Sequence, residues 1–375
     1  MLLAPIDASL RLADVMPSCL AAIAGAENSL GLSTVTHAAV VLVDGMGAAN
    51  LREHAGHARW LMQAWRAHGL SADVGFPSTT ASALTTLTTG VSAGEHGIVG
   101  YSLREPASGQ IINHLKDWAP LVELEVWQRS TTVFQRAKAQ GIRSLSQGEP
   151  RFANTDFTKA VWRGAEFQGA RSLEEQFHNA RDFFDATPQG LAYLYWPALD
   201  RTGHGSGSES DSWLHRLEEL DAQLAEYSGI LGSTAGLVIT ADHGMIDVPD
   251  HDKMVIEAES PLLEGVSAWA GEPRAPQIYL SSAAKRDNLV KAWKQVVGDR
   301  AQVVTRDELI ASGALGEVAP GVDKRLGDIV ILCEGSLAIY HGPTASAQSQ
   351  TMVGQHGSIT PREREVPVIL AGAWA

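Results

Sequence analysis

Three uninterrupted apolar runs each end in an acid at a turn, and no other feature of the chain limits its fold as sharply. VVLVDGMG leads into Asp44, LAYLYWPALDRTGH into Asp200 with His204, and LVITADHGM into Asp242 with His243. Solid runs of this kind read as parallel strands covered on both faces, and the ligands of such sheets gather at the strands' carboxyl ends. The expected fold is α/β, with a doubly wound, mostly parallel central sheet. A distant GQHGS adds His356, which makes three carboxylates and three imidazoles, a ligand set for two divalent metal ions.

The rest of the chain supplies the layers such a sheet needs. Strands are expected at 38–43, 191–196 and 236–241, and helical spacing covers 48–68, 80–90, 127–140, 171–186 and 208–231. The β, α, β order supports a parallel sheet. Residues 94–120, rich in Gly, Pro and polar side chains, read as a long loop with a hairpin, and long loops in compact domains are usually functional. From 256 to 349 the pattern changes to short strands (QIYL, QVVT, DIVILCEG, LAIYH) around a helix at 283–296. This segment reads as an inserted α+β subdomain, with 1–255 and 350–375 forming the catalytic core, because His356 and the terminal VPVIL return to the core pattern.

Composition narrows the partners. The chain carries 29 Lys and Arg against 43 Asp and Glu, a formal charge of −14, so a nucleic-acid polymer meets no global attraction. An anionic small molecule has to be drawn by local positive charge, which metals supply. The start, MLLAPIDASLRLADVM, lacks a basic n-region, and no stretch approaches the roughly 18 apolar residues of a membrane span, so a cytoplasmic location is expected. Cys19 and Cys333 sit in apolar contexts without metal-type spacing and read as buried, reduced thiols. No oligomeric state follows from the sequence.

Aspartate and histidine together suit Zn²⁺ best, with Mn²⁺ or Fe possible; an all-oxygen Mg²⁺ or Ca²⁺ site is a poor match. Two ions about 3.5–4 Å apart clamp the attacking and leaving oxygens of a displacement at phosphorus. A serine or threonine hydroxyl beside them is then the nucleophile. The candidates are Ser78, Thr79 and Thr80 in FPSTT, at a helix start whose free N–H groups can bind a phosphoryl oxygen.

VLVDGMG, FPSTTASALTTLTTG, GEHGIVGY, DRTGHGSGS, TADHGM and GQHGS together resemble the type I phosphodiesterases/nucleotide pyrophosphatases of the alkaline phosphatase superfamily, across most of 36–250 and again about 350–370. The resemblance implies an alkaline phosphatase-like fold and hydrolysis of phosphodiester or pyrophosphate bonds in a small-molecule phosphoester, possibly a nucleotide. It also implies that Asp200, His204 and His356 hold one zinc, while Asp44, Asp242, His243 and the nucleophile hold the other. The family's F-P-x-x-T pattern puts the attacking hydroxyl on Thr80. Three residues later, where many extracellular members carry an asparagine that helps hold a phosphate oxygen, this chain has Ala83.

Each candidate also has an ordinary reading. A strand-end Asp alone is often a cap or turn residue, and a lone His is a satisfied polar side chain; the joint pattern is what favours a site. His96 reads as a loop-structuring residue. Tyr101 and Asn113 are weak candidates for the substituent pocket, against plain loop packing. Asp247, Asp250, His251 and Asp252 read as a turn. A phosphate monoester dianion calls for extra cationic contacts, yet 76–103 contain no Lys or Arg, which favours a diester unless Arg104, Lys116 or Arg163 folds over the site. The alternatives are a phosphomonoesterase or phosphomutase on the same scaffold, and a non-catalytic metal-containing binding protein.

Overall fold

The computed structural model describes residues 10–116 and 118–375. Its centre is an eight-stranded sheet in the order Leu10–Arg11, Leu70–Asp73, Glu365–Gly372, Ala235–Thr240, His37–Val43, Gly190–Trp196, Arg143–Gly148, Glu166–Gly169. Every pairing is parallel except those of Glu365–Gly372, which runs against both neighbours. The solid apolar runs are the middle of this sheet. Residues 38–43 are wholly inaccessible to water, and Gly190–Trp196 and Ala235–Thr240 are buried throughout. Each buried Val or Leu contributes about 1.5–3 kcal/mol by leaving water, which is why these three strands need no polar face.

Register carries the sheet to its chemistry. Val43 lies opposite Trp196 and Leu42 opposite Thr240, so three carboxyl ends finish level and the turns behind them share one side of the sheet.

A second sheet of four antiparallel strands runs Val266–Glu272, Ala275–Leu280, Ile329–Cys333, Ala301–Thr305. The helix Arg286–Val297 lays Leu289, Trp293 and Val297 against it, over Ile278, Ile331 and Cys333. Ala338–His341, grouped with these strands by its apolar sequence, instead pairs in parallel with Lys253–Ile256. Between the two sheets, Arg274 and Glu363, both fully buried side chains, form a bidentate ion pair at 2.9 Å on each arm. Arg274 also donates to the carbonyls of Cys333, Gly335 and Leu337, and Glu363 accepts from Ser358 N–H at 3.0 Å and from the Thr360 hydroxyl at 2.5 Å.

Some elements differ from expectation. The helix expected over 48–68 is split into Ala48–Glu53 and Arg59–His68, because the Asp221 carboxylate accepts the N–H groups of Trp60 and Leu61 and starts the second piece afresh. The helix expected from 127 starts at Val133, where Thr132 and Gln135 form a capping box. Cys19 and Cys333 are buried free thiols. Among the described residues no helix is long and apolar enough to cross a membrane.

Candidate active site

All six expected ligands meet at the level strand ends. Asp44 follows His37–Val43 directly, and Asp200 and His204 lie one turn apart on one face of the helix Ala198–Ser206. Asp242 and His243 follow Ala235–Thr240, and neighbours can share a cavity only if the chain leaves its strand there. Gly244 makes the exit: a Cβ at that position would lie 2.0 Å from the Arg362 carbonyl oxygen. His356 follows the short strand Gly354–Gln355, which pairs with Ile246–Asp247.

Within this cluster His243 Nε2 is 3.2 Å from Asp44 Oδ1 and 3.4 Å from Asp242 Oδ2. Asp200 Oδ1 is 3.4 Å from His204 Nε2 and 3.8 Å from His356 Nε2. The His243 and His356 rings stack with centroids 3.5 Å apart. Each imidazole is held from behind: Nδ1 of His204 bonds Gly354 O at 2.7 Å, that of His356 bonds Ser78 O at 2.9 Å, and that of His243 faces Gly244 O at 3.1 Å. That orientation fixes the tautomer and turns Nε2 inward, as metal-ligating histidines require.

The carboxylates tell the same story. Asp242 Oδ1 accepts Gly45 N–H at 3.1 Å and Asp44 Oδ2 accepts the Tyr195 hydroxyl, whereas Asp242 Oδ2, Asp44 Oδ1 and Asp200 Oδ1 are buried without a hydrogen-bond partner among the described residues. An unmade hydrogen bond on a buried acceptor costs about 1–3 kcal/mol. Three such oxygens facing three inward imidazole nitrogens fit divalent cations. Two sets lie within ligating reach, Asp44 with Asp242 and His243, and Asp200 with His243 and His356.

Electrostatics agree with this fit. Burial opposes ionisation of every carboxyl here; at Asp44 the adjacent His243 ring and the hydrogen bond from Tyr195 overcome it and lower the pKa. Burial and the Asp44 charge hold Asp242 well above the ordinary carboxylate range, and burial raises Asp200. Burial alone would lower His243, but Asp242 and Asp44 push it up to about 10. Burial and the two neighbouring imidazoles hold His356 far below its usual value. So much buried negative charge is balanced by protons or by metal cations, and metal binding displaces those protons.

Thr80 opens the helix Thr80–Thr89, every residue of which is buried. Such a threonine-rich helix tolerates burial because Thr85, Thr88 and Thr89 donate back to the carbonyls of Ala81, Leu84 and Thr85. Thr80 Oγ1 stands 3.2 Å from His243 Nε2. Ser78 is committed elsewhere, donating to Ser358 O at 2.7 Å, and Thr79 lies beside Glu272. The first-turn N–H groups have no partner inside the helix.

Thr80 lines a cavity of about 670 Å³. Asp44, Thr80, Asp200, His204 and His356 form one wall, and Leu84, Phe152, Phe157 and Trp162 form an apolar one. Tyr101 lines it. Asn113 does not; its side chain accepts Leu115 N–H at 3.0 Å. Ala83 is fully buried and is not among the residues that line the cavity. His96 is loop-structuring as expected: Nδ1 accepts Ile98 N–H, Nε2 meets the Thr86 hydroxyl, and burial lowers its pKa to about 3. Asp247 accepts the N–H groups of Ser208 and Glu209, and Asp250 pairs with Lys253, so that segment is a turn.

Sequence reasoning missed the cations. None of Arg104, Lys116 and Arg163 lines the cavity, whereas Arg151 and Arg201 do, both bound to Glu149. It also missed Tyr195 and Glu272.

A model of the type I phosphodiesterase/nucleotide pyrophosphatase family matches residues 38–359. Among solved structures, the chain is similar to murine ectonucleotide pyrophosphatase/phosphodiesterase 5, an inactive form in complex with AMP, with a TM-score of 0.68 and 18% identity over 90% of this chain and 88% of that one. The human protein of that name gives 0.67 and 17%, over 89% and 87%. Phosphonoacetate hydrolase from Sinorhizobium meliloti, in complex with phosphonoacetate, gives 0.68 and 20%, over 89% of each chain. At these identities the likeness to solved structures concerns the fold.

Proposed function

The chain belongs to the type I phosphodiesterase/nucleotide pyrophosphatase family, a family of phosphoester hydrolases, and from that premise we propose a two-metal hydrolase of small-molecule phosphodiesters or pyrophosphates with Thr80 as nucleophile. One observation carries the reading: three buried, partnerless carboxylate oxygens face inward-turned imidazole nitrogens, with the Thr80 hydroxyl 3.2 Å from one of them.

Asp200, His204 and His356 would hold one ion, and Asp44, Asp242, His243 and Thr80 the other, with Zn²⁺ the best match to this donor set. When bound, such a pair supplies positive charge that eases loss of a hydroxyl proton and neutralises charge building on the phosphoryl oxygens. Thr80 Oγ1 loses its proton and attacks phosphorus; the bond to the leaving oxygen breaks, that oxygen takes up a proton, and a phosphothreonine ester remains. Water then cleaves the ester and restores the hydroxyl. The N–H groups that start the Thr80 helix bind a phosphoryl oxygen. The apolar wall of Leu84, Phe152, Phe157 and Trp162 receives the substituent.

Arg151 and Arg201 favour a second reading, a monoesterase or phosphomutase, because a dianion needs such cations. Glu149 binds both, which leaves the trio one net positive charge at the rim and suits the outer phosphoryl of a pyrophosphate equally. Hydrolysis of bis(p-nitrophenyl) phosphate and p-nitrophenyl phosphate by the zinc-reconstituted protein separates the two. The diester is expected to have a kcat/KM at least about tenfold higher, a barrier difference of about 1.4 kcal/mol. A tenfold preference for the monoester would replace the first reading by the second.

A further inference from the structure

Glu272 is a buried acid that neither sheet needs for its packing. It ends the strand Val266–Glu272, is 6% exposed, and lines the cavity. Its Oε1 accepts Tyr101 N–H at 2.5 Å, while its Oε2, also buried, has no hydrogen-bond partner among the described residues. The Thr79 hydroxyl sits beside the carboxyl, one residue before the nucleophile. Gly357 makes room for it, since a Cβ there would lie 2.9 Å from Glu272 Cγ. The nearby guanidinium of Arg274 is spent on Glu363.

Glu272, Thr79 and Thr80 line the same cavity, so the carboxyl borders the space in which a phosphoryl group attacked by Thr80 would sit. As a carboxylate it would repel a phosphate; as an acid it is a hydrogen-bond donor. We propose that Glu272 is protonated during the reaction and donates a hydrogen bond from Oε2 to a nonbridging oxygen of the phosphoryl group attacked by Thr80. Burial, against the hydrogen bonds from the Tyr101 amide and the Thr79 hydroxyl, pushes its carboxyl up to about 7. The Tyr101 amide fixes which oxygen stays free. The second sheet thereby contributes a group to the transition state, and the assignment rests on the Thr80 reading.

Glu272→Gln and Glu272→Met in the full chain, reconstituted with zinc, test it. With the Gln Oε1 kept on the Tyr101 N–H, the amide NH₂ falls where Oε2 stood and still donates. Gln is expected to keep kcat on bis(p-nitrophenyl) phosphate within about threefold, whereas Met, similar in volume but without a donor, loses about 10²-fold in kcat, the usual cost of one donor to a developing oxyanion. Inhibition by orthovanadate should weaken about tenfold in Met and stay unchanged in Gln, a loss of about 1.4 kcal/mol in binding. Gln falling more than tenfold, or Met leaving kcat unchanged, overturns the proposal; if Met does not fold, the Gln result alone decides. Thr80→Ala run alongside separates the failures. Turnover retained there removes the Thr80 reading itself, whereas an inactive Thr80→Ala beside an unimpaired Met variant removes Glu272 only.

Discussion

Thr80→Ala is expected to lower turnover of bis(p-nitrophenyl) phosphate by about 10³- to 10⁶-fold, the range seen when a covalent nucleophile is removed, while the protein keeps its metals. The selectivity of that loss comes from what the hydroxyl does structurally. Among the described residues its only hydrogen-bond partner is His243 Nε2, at 3.2 Å, and the helix cap residue is Thr79 rather than Thr80. Stability should therefore change by no more than about 1 kcal/mol, the net worth of an ordinary hydrogen bond. Neither neighbouring hydroxyl can take over, since Ser78 is locked to Ser358 O and Thr79 lies beside Glu272. Thr80→Ser, which keeps the oxygen, should retain measurable turnover. Steady-state rates with metal analysis of the same samples check this; turnover by Thr80→Ala within tenfold of the parent chain would take Thr80 out of the reaction.

Glu363→Ala should be the most destabilising single change near the site, at about 3–5 kcal/mol, because it leaves the Arg274 guanidinium charged, buried and unpaired. The damage reaches the candidate ligand cluster by a traceable route. Glu363 accepts Ser358 N–H, Ser358 O accepts the Ser78 hydroxyl, and Ser78 O holds His356 Nδ1. Losing the first link loosens the last, so zinc affinity should fall about 10- to 100-fold even in the folded fraction, as when outer-shell support of a metal ligand is removed. Urea unfolding and a competitive zinc titration measure the two effects. A loss below about 1 kcal/mol would mean that the pair is no more than a surface-like contact.

The sequence announced the site more clearly than its surroundings. Asp44, Asp200 and Asp242 were legible because solid apolar runs terminate in them, and strands of that kind end where a parallel sheet binds its ligands. Glu272 and Arg201 carried no such signal: Glu272 stands in the unremarkable VSAWAGE, and only antiparallel pairing far from the catalytic motifs brings it to the cavity. Tyr195 read as strand filler, and its hydroxyl acquires a role only when parallel pairing places it beside Asp44. The strands Arg143–Gly148 and Glu166–Gly169 carry no such signal because their sequences, RSLSQG and EFQG, lack the apolar run; Glu166–Gly169 is the sheet's edge, and Arg143–Gly148 lies beside it, paired on both sides. The break in the helix expected over 48–68 comes from Asp221, a residue no local window contains.

The central claim is that six side chains converge on a pair of cations with a threonine oxygen beside them. Anomalous diffraction at the zinc edge, on crystals of the zinc-loaded protein, tests it most directly. Two peaks are expected, one among Asp44, Asp242, His243 and Thr80 and the other among Asp200, His204 and His356. Peaks elsewhere, or no zinc bound among these residues, would contradict the account.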